Sequence, residues 1–250
     1  MIKYQKTRGL TDTPLTYCPG CTHGIVHKLV AEVLDEMNLL EQTIGVASVG
    51  CSVFSYEFFN CDMQQAAHGR ACAVATGIKR VLPDNIVFTY QGDGDLASIG
   101  IAETIHAANR GENITVIFVN NAIYGMTGGQ MAPTTLIGQK TTTSQDGRDR
   151  VATGSPIKIS EMFSQIEGVK YLERVTVTSP ANIRKTKAAI KKAFEFQKAK
   201  AGFTMIEVLS TCPVNWGMKP LDAMKWIDET MTKVYPLKVF KDGSDPDGRS

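Results

Sequence analysis

The chain has 250 residues, with 27 Lys plus Arg against 25 Asp plus Glu and a formal net charge of +2. Hydrophobic residues make up 43% and charged residues 21%, which excludes wholesale disorder, and the near balance of charge argues against a dedicated nucleic-acid binder. No apolar run reaches the ~18 residues of a transmembrane helix, and the N-terminal stretch MIKYQKTRGLTDTP has no apolar signal region, so a cytoplasmic protein without membrane contact is expected.

Residues 24–38 repeat apolar side chains (Ile25, Val26, Leu29, Val30, Val33, Leu34, Met37) at helical spacing. A short apolar strand is expected at 43–48, and the Ala-rich stretch 66–82 predicts a tightly packed helix ended by Pro83. A strand at 86–90, a helix at 97–110 and a strand at 114–119 follow. The last of these, ITVIFV, is apolar on both faces, as in a covered parallel sheet. A long loop then runs from 120 to about 156, and loops of that length inside a compact domain are usually functional. Its Lys140, Arg148, Asp149 and Arg150 nevertheless read as solvated or interfacial rather than catalytic. A helix at 159–166, a strand at 171–177, a helix at 181–200, a strand at 203–209 and a short helix at 221–234 complete the pattern. The closing KDGSDPDGRS is expected to be disordered or partner-bound. The alternation predicts one α/β domain over 1–250, with a mainly parallel sheet covered by helices, an N-terminal CxxC segment and a tail from about 236.

The sharpest local signal is Tyr90-Gln91-Gly92-Asp93-Gly94-Asp95, which follows a strand and opens a helix. Helix N-termini attract phosphates, and glycines let the backbone approach them closely. Gly92, Gly94 and Ala97 satisfy the loose dinucleotide fingerprint. Against that reading, Asp93 inside the turn would repel a bare pyrophosphate, and the next strand ends in Asn120-Asn121 rather than in an acid for a ribose. A cation between acid and phosphate removes the conflict, because Mg²⁺ takes near-octahedral oxygen ligands from protein, phosphate and water. Asp93 and Asn121 end successive strands, so the site would be the crevice at the carboxyl ends of a parallel sheet. The plainer alternative is a turn Asp and a helix-capping Asn.

Six cysteines, Cys18, Cys21, Cys51, Cys61, Cys72 and Cys212, are too many for structural disulfides in a cytosolic chain. Cys18-Pro19-Gly20-Cys21 suits a redox pair, half a zinc site or half an iron–sulfur site; a c-type haem site is excluded because Thr22 follows Cys21. No convincing strand precedes Cys18, as a thioredoxin-like pair requires, and zinc held with His23 or His27 would lack a second CxxC. Cys51 follows the 43–48 strand and Cys212 the 203–209 strand. In a parallel sheet both lie on the edge that carries Asp93 and Asn121, where four thiols would suit a [4Fe–4S] cluster.

GDG followed by NN resembles the diphosphate motif of thiamine diphosphate enzymes, and NNAIYGMTGGQ (120–130) resembles the 2-oxoacid:ferredoxin oxidoreductases. With GDGDLASIG and STCPVNWG, the resemblance spans Cys18 to about Tyr235 and implies the thiamine diphosphate-binding fold and the β subunit of that family. It implies Mg²⁺ on Asp93, Asn121 and the carbonyl of Ile123, and a diphosphate beside Gly92, Gly94 and Asp95. Gly125, Met126, Thr127, Gly128, Gln130, Cys51, Ser52 and His68 would lie near the cofactor or a chain contact. It further implies a proximal [4Fe–4S] cluster on Cys18, Cys21, Cys51 and Cys212, with Cys61 and Cys72 outside the set and Cys72 serving as buried packing. The implied reaction is oxidative decarboxylation of a 2-oxoacid, with coenzyme A as acyl acceptor and ferredoxin as electron acceptor. Met126 replaces the polar Asn of pyruvate-using relatives and suits a branched aliphatic tail, which favours 2-oxoisovalerate over 2-oxoglutarate. The Glu that activates the thiamine is expected from an α subunit and not from Glu103, with γ and ferredoxin-like δ subunits as further partners. Two other readings share parts of the pattern: a non-oxidative thiamine diphosphate decarboxylase or lyase, and a zinc-stabilised assembly subunit.

Overall fold

The computed structural model describes residues 5–243. Helix α1 (His23–Glu36) leads to strand β1 (Thr43–Ala47), a 3₁₀ turn (Cys51–Phe54), α2 (Ser55–Phe58) and strand β2 (Asp62–Gln65). Next come α3 (Ala71–Val81), β3 (Ile86–Gly92), a π-type turn (Asp95–Ile99), α4 (Ile101–Asn109) and β4 (Thr115–Asn120). After the long loop follow α5 (Arg150–Thr153), α6 (Ile159–Phe163), β5 (Val169–Thr176), α7 (Pro180–Lys198) and β6 (Phe203–Leu209). The chain then turns through α8 (Pro213–Trp216), α9 (Pro220–Trp226), a π-type turn (Ile227–Met231) and α10 (Thr232–Val234) before β7 (Lys238–Asp242).

The strands form one seven-stranded sheet in the order β2-β1-β3-β4-β6-β5-β7. All neighbours are parallel except β5 and β7. The period-two alternation of strands sorts the apolar side chains onto two faces. Phe88, Tyr90, Ile117, Val119, Ile206 and Val208 pack against α1 and α7. Val87, Val116, Phe118, Met205 and Leu172 pack on the other face with α3, α4 and α6. This two-sided burial explains the continuous apolar run of β4, where all six residues are buried. Phe118 is completely buried in that layer, so Phe118→Ala would cost about 3–5 kcal/mol. A smaller third cluster, Ala122, Leu136, Leu209, Ile227, Met231 and Tyr235, seals the carboxyl edge beneath the long loop.

The predicted strands at 43–48, 86–90, 114–119, 171–177 and 203–209 are all present. The departures have local causes. Strand β2 is polar and mostly exposed, so it carries no apolar alternation. Helix α3 starts only at Ala71, because 66–70 form a turn in which Gly69 takes a φ of +76°. The helix expected at 97–110 is divided by Gly100 into a wide π turn and α4. The expected tail begins as edge strand β7, laid antiparallel on β5, so of the disordered or partner-bound reading the disorder does not hold for Lys241 and Asp242; residues 244–250 lie outside the described residues.

Candidate cofactor and cluster site

Strands β3 and β4 are parallel neighbours, with Gly92 beside Val119 in register, so Asp93 and Asn121 leave the sheet side by side. Both are buried. Asp93 Oδ1 accepts from the backbone N–H of Gly94 at 2.8 Å, and Oδ2 accepts from Thr134 Oγ1 at 2.5 Å. Burial pushes its carboxyl up to about 6 against the help of Thr134 and the N–H groups of Gly94, Ile123 and Ala122; none of these helpers is a cation. Asn121 Oδ1 accepts from Ile123 N at 3.2 Å, and the intervening Ala122 takes a left-handed φ of +56°. An ionised carboxylate, buried without a positive partner beside an amide, fits a divalent cation.

A cleft opens over this turn, lined by Gly92, Gly94, Asn121, Ile123, Ser52 and His68 among others. A Cβ on Gly92 would meet nothing within 4 Å, so the backbone lies bare to the cleft. A Cβ on Gly94 would collide with the ring of Tyr124. The hydroxyl of Ser52 is buried without a partner, as expected of a group that awaits a ligand. Asp95 also lines the cleft, but its carboxylate is occupied: Oδ1 accepts from His68 Nδ1 at 2.5 Å and from Gly69 N at 2.7 Å, and Oδ2 from Gln91 Nε2 at 2.6 Å. Its part is to orient His68. Gln91 Oε1 in turn accepts from Cys72 Sγ at 3.3 Å, so Cys72 is linked to this network as well as packed. Thr127 and Gln130 bond to each other, which closes a tight turn through Gly128 and Gly129 at the rim.

A second pocket adjoins the first and contains Cys18, Cys21, Cys51 and Cys212. All are free thiols. A Cβ added to Gly125 would sit 3.4 Å from Cys212 Sγ, 3.5 Å from Cys51 Sγ and 3.7 Å from Asn121 Nδ2, so one methyl group would just touch all three and a larger side chain would crowd them. Burial pushes the Cys21 thiol up to about 12 and the Cys51 thiol up to about 11, and neighbouring thiols add to both. The Cys212 thiol is raised for the same leading reason, despite Asn215 Nδ2 donating to its sulfur at 3.2 Å. The CxxC loop is clamped to the Cys212 loop: Thr22 and Ser210 share a hydrogen bond of 2.6 Å, and Thr211 Oγ1 donates to the carbonyl of Gly20 at 2.7 Å. Among the described residues, no three His, Cys, Asp or Glu groups are gathered for a single metal ion. Four thiols lining one pocket, two of them beside Gly125, are the kind of donor that an iron–sulfur cluster takes. His23 and His27 are engaged by tyrosines instead: His23 Nδ1 pairs with Tyr90 Oη at 2.8 Å and His27 Nε2 with Tyr17 Oη at 2.7 Å. Cys61 lies in a surface hollow with Arg8, Glu41 and Asp62, apart from the other thiols.

Three residues stand differently from the sequence reading: His23, weighed there only as a zinc ligand, Thr134, not considered, and Arg148, read as solvated or interfacial. His23 lines both the cleft and the cysteine pocket, and burial lowers its imidazole to about 4, so it is neutral. Thr134 bonds Asp93 from a loop distant in sequence. Arg148, expected on a solvated or interfacial surface, is buried and donates to six carbonyls, those of Ala132, Pro133, Thr135, Thr153, Gly154 and Ser155. Lys140, Asp149 and Arg150 are exposed, as expected. Glu103 is held by Arg70 and lines neither cavity.

An acid and an amide at neighbouring strand ends, above a glycine-lined cleft, define an α/β protein whose candidate site lies where such sheets bind ligands, at the carboxyl ends of the strands. Residues 48–208 match the family described as thiamine pyrophosphate enzyme, C-terminal TPP binding domain. The chain is 47% identical over 241 residues to ketoisovalerate oxidoreductase subunit VorA of Methanothermobacter thermautotrophicus, a match that covers 96% of this chain and 50% of that protein. It is 38% identical over 243 residues to 2-oxoglutarate synthase subunit KorB of Methanocaldococcus jannaschii, covering 95% of this chain and 84% of that one. A solved 2-oxoglutarate:ferredoxin oxidoreductase from Magnetococcus marinus, with 2-oxoglutarate, coenzyme A and succinyl-CoA bound, superposes with a TM-score of 0.79 at 26% identity, over 92% of this chain and 74% of that one. The chain spans half the length of the VorA relative. It belongs to the thiamine pyrophosphate-binding subunits of the 2-oxoacid oxidoreductase family.

Proposed function

We propose that this chain anchors Mg²⁺-thiamine diphosphate and a proximal [4Fe–4S] cluster for the coenzyme A-dependent oxidative decarboxylation of a 2-oxoacid, with ferredoxin as electron acceptor. The observation that carries this reading is a shared wall: His23, Cys51, Asn121, Gly125 and Met126 line both the glycine cleft and the cysteine pocket. When bound, thiamine diphosphate supplies the electron sink for decarboxylation, and an adjacent cluster supplies a one-electron acceptor. Asp93, Asn121 and the Ile123 carbonyl would hold the metal; Gly92 would let the diphosphate approach the backbone, and Gly94 makes room for the Tyr124 ring beside it. Asp95 holds His68 Nδ1, so the other ring nitrogen is free to face the cleft. The thiols of Cys18, Cys21, Cys51 and Cys212 would hold the cluster as thiolates, so their protons would leave when iron binds.

The activating Glu comes from a partner α subunit in this reading, because Glu103 is committed to Arg70. Further γ and ferredoxin-like δ subunits complete a cytoplasmic complex. Met126 is 45% exposed at the wall and presents an apolar surface, which favours 2-oxoisovalerate over 2-oxoglutarate. Turnover of the anaerobically purified complex with a panel of 2-oxoacids tests this. The branched-chain acid is expected to give the highest kcat/KM, and a preference for 2-oxoglutarate would overturn the assignment of substrate. Turnover without an electron acceptor, yielding an aldehyde, would favour a non-oxidative decarboxylase.

A further inference from the structure

We propose that Thr134 and Thr135 form a two-pronged brace that fixes the two metal-ligand turns relative to each other; this rests on the reading of Asp93 and Asn121 as Mg²⁺ ligands. Both threonines are completely buried, on the loop that seals the carboxyl edge. Thr134 Oγ1 donates to Asp93 Oδ2 at 2.5 Å. Thr135 Oγ1 donates to the carbonyl of Ala122, next to Asn121, at 2.7 Å. One residue grips the turn after β3 and its neighbour grips the turn after β4.

The geometry constrains the ligands directly. Asp93 receives a backbone N–H on one oxygen and the Thr134 hydroxyl on the other, so the carboxylate plane cannot rotate. Each oxygen keeps a lone pair for a cation. Ala122 has a left-handed φ of +56°, which costs energy for a residue with a Cβ, and the bond to its carbonyl helps to hold that conformation. The brace is itself anchored. Tyr235 Oη donates to the Thr134 carbonyl at 2.6 Å, and buried Arg148 Nη1 donates to the Thr135 carbonyl at 2.7 Å and to that of Pro133 at 2.8 Å. Partners of this kind orient metal ligands, and their loss typically weakens metal binding 10–100-fold. Thr134 and Thr135 are therefore positioning residues.

The test uses the full chain in complex with its partner subunits, stripped of cofactor. Thiamine diphosphate binding is titrated against Mg²⁺ for wild type, Thr134→Val, Thr134→Ser and Thr135→Val. Thr134→Val keeps the shape and deletes the donor, and should raise the Mg²⁺ concentration for half-maximal binding about tenfold. Thr134→Ser keeps the hydroxyl and should stay within about threefold of wild type. Tyr235→Phe leaves both hydroxyls and loosens only the anchor; it should shift the midpoint about threefold in the same direction, and it serves if Thr134→Val does not fold. An unchanged Mg²⁺ midpoint in Thr134→Val, even with a lower melting temperature, would reduce the brace to a structural role and overturn the proposal. If Thr134→Val did not fold, an unchanged midpoint in Tyr235→Phe would overturn it. If wild type bound thiamine diphosphate without regard to Mg²⁺, the metal assignment would fail instead.

Discussion

Around Asp93 nearly every polar group has a partner within the chain, whereas the four cysteines next door depend on very few. Asp93 has both oxygens engaged, the backbone carbonyl of Asn121 accepts from Trp216 Nε1 at 3.2 Å, and Ala122 is gripped by Thr135. In the other pocket, Asn215 reaches Cys212 and the backbone of His23 reaches Cys21, but the order comes mainly from clamps between loops such as Thr22 with Ser210. One half is set before any ligand arrives. The other gathers raised, protonated thiols that become a strong ligand set only when a cationic centre replaces their protons. Substitutions in the first half should change affinity while leaving a folded site, and substitutions in the second should decide whether the cluster assembles.

The largest separation of the two halves is expected from Cys212→Ser. It should abolish the cluster's iron and acid-labile sulfide in anaerobic protein while thiamine diphosphate affinity stays within about threefold; coupled loss of both would dissolve the distinction. Asp93→Asn should do the reverse, removing Mg²⁺-dependent cofactor binding while leaving the iron in place. The same variant carries a stability signature. Burial raises the Asp93 carboxyl from 3.8 to about 6, so the cofactor-free native state holds a proton that the unfolded chain has released between those values. Stability of the cofactor-free protein should therefore fall as pH rises through that window, and Asp93→Asn should remove a penalty of about 3 kcal/mol at pH ~7.5. Urea unfolding of both proteins at low and neutral pH measures it, and parallel curves would contradict the assignment.

Gly125 sharpens the boundary between the halves. Gly125→Val would crowd both Cys51 and Cys212 as well as Asn121, so iron content and thiamine diphosphate affinity should drop together, the latter about tenfold. A drop in only one would show that Gly125 is not common to both pockets. The smallest effect is expected from Tyr90→Phe, which deletes the partner of His23 Nδ1. It should cost about 1 kcal/mol in denaturant unfolding and leave iron and thiamine diphosphate content unchanged.

Much of this site was legible in the sequence because its signals are local. A glycine–acid turn after an apolar strand, a second strand ending in Asn-Asn, and a CxxC each mark a candidate position within a few residues, although the CxxC alone left redox, zinc and iron–sulfur chemistry open. The parallel sheet then brings them to one edge, since every strand that matters points the same way. Thr134 and His23 stayed hidden because their partners are set by packing: Thr134 meets Asp93 across 41 positions and His23 meets Tyr90 across 67. Arg148 was misread because a run of charges such as DGRDR in a polar loop usually points to water; here the loop folds around the guanidinium to satisfy its own carbonyls. Strand β2 was missed because its polar DMQQ run pairs only on one side of the sheet.

The most direct test of the shared wall is a paired analysis of wild type and Cys51→Ser, each isolated anaerobically with the partner subunits. Iron, acid-labile sulfide and thiamine diphosphate would be quantified for both, with electron paramagnetic resonance of the reduced samples. Wild type should contain thiamine diphosphate and a [4Fe–4S] signal that Cys51→Ser lacks, with the cofactor retained and the remaining clusters of the complex unchanged. An identical iron content and spectrum in Cys51→Ser would contradict the placement of a cluster beside the thiamine cleft.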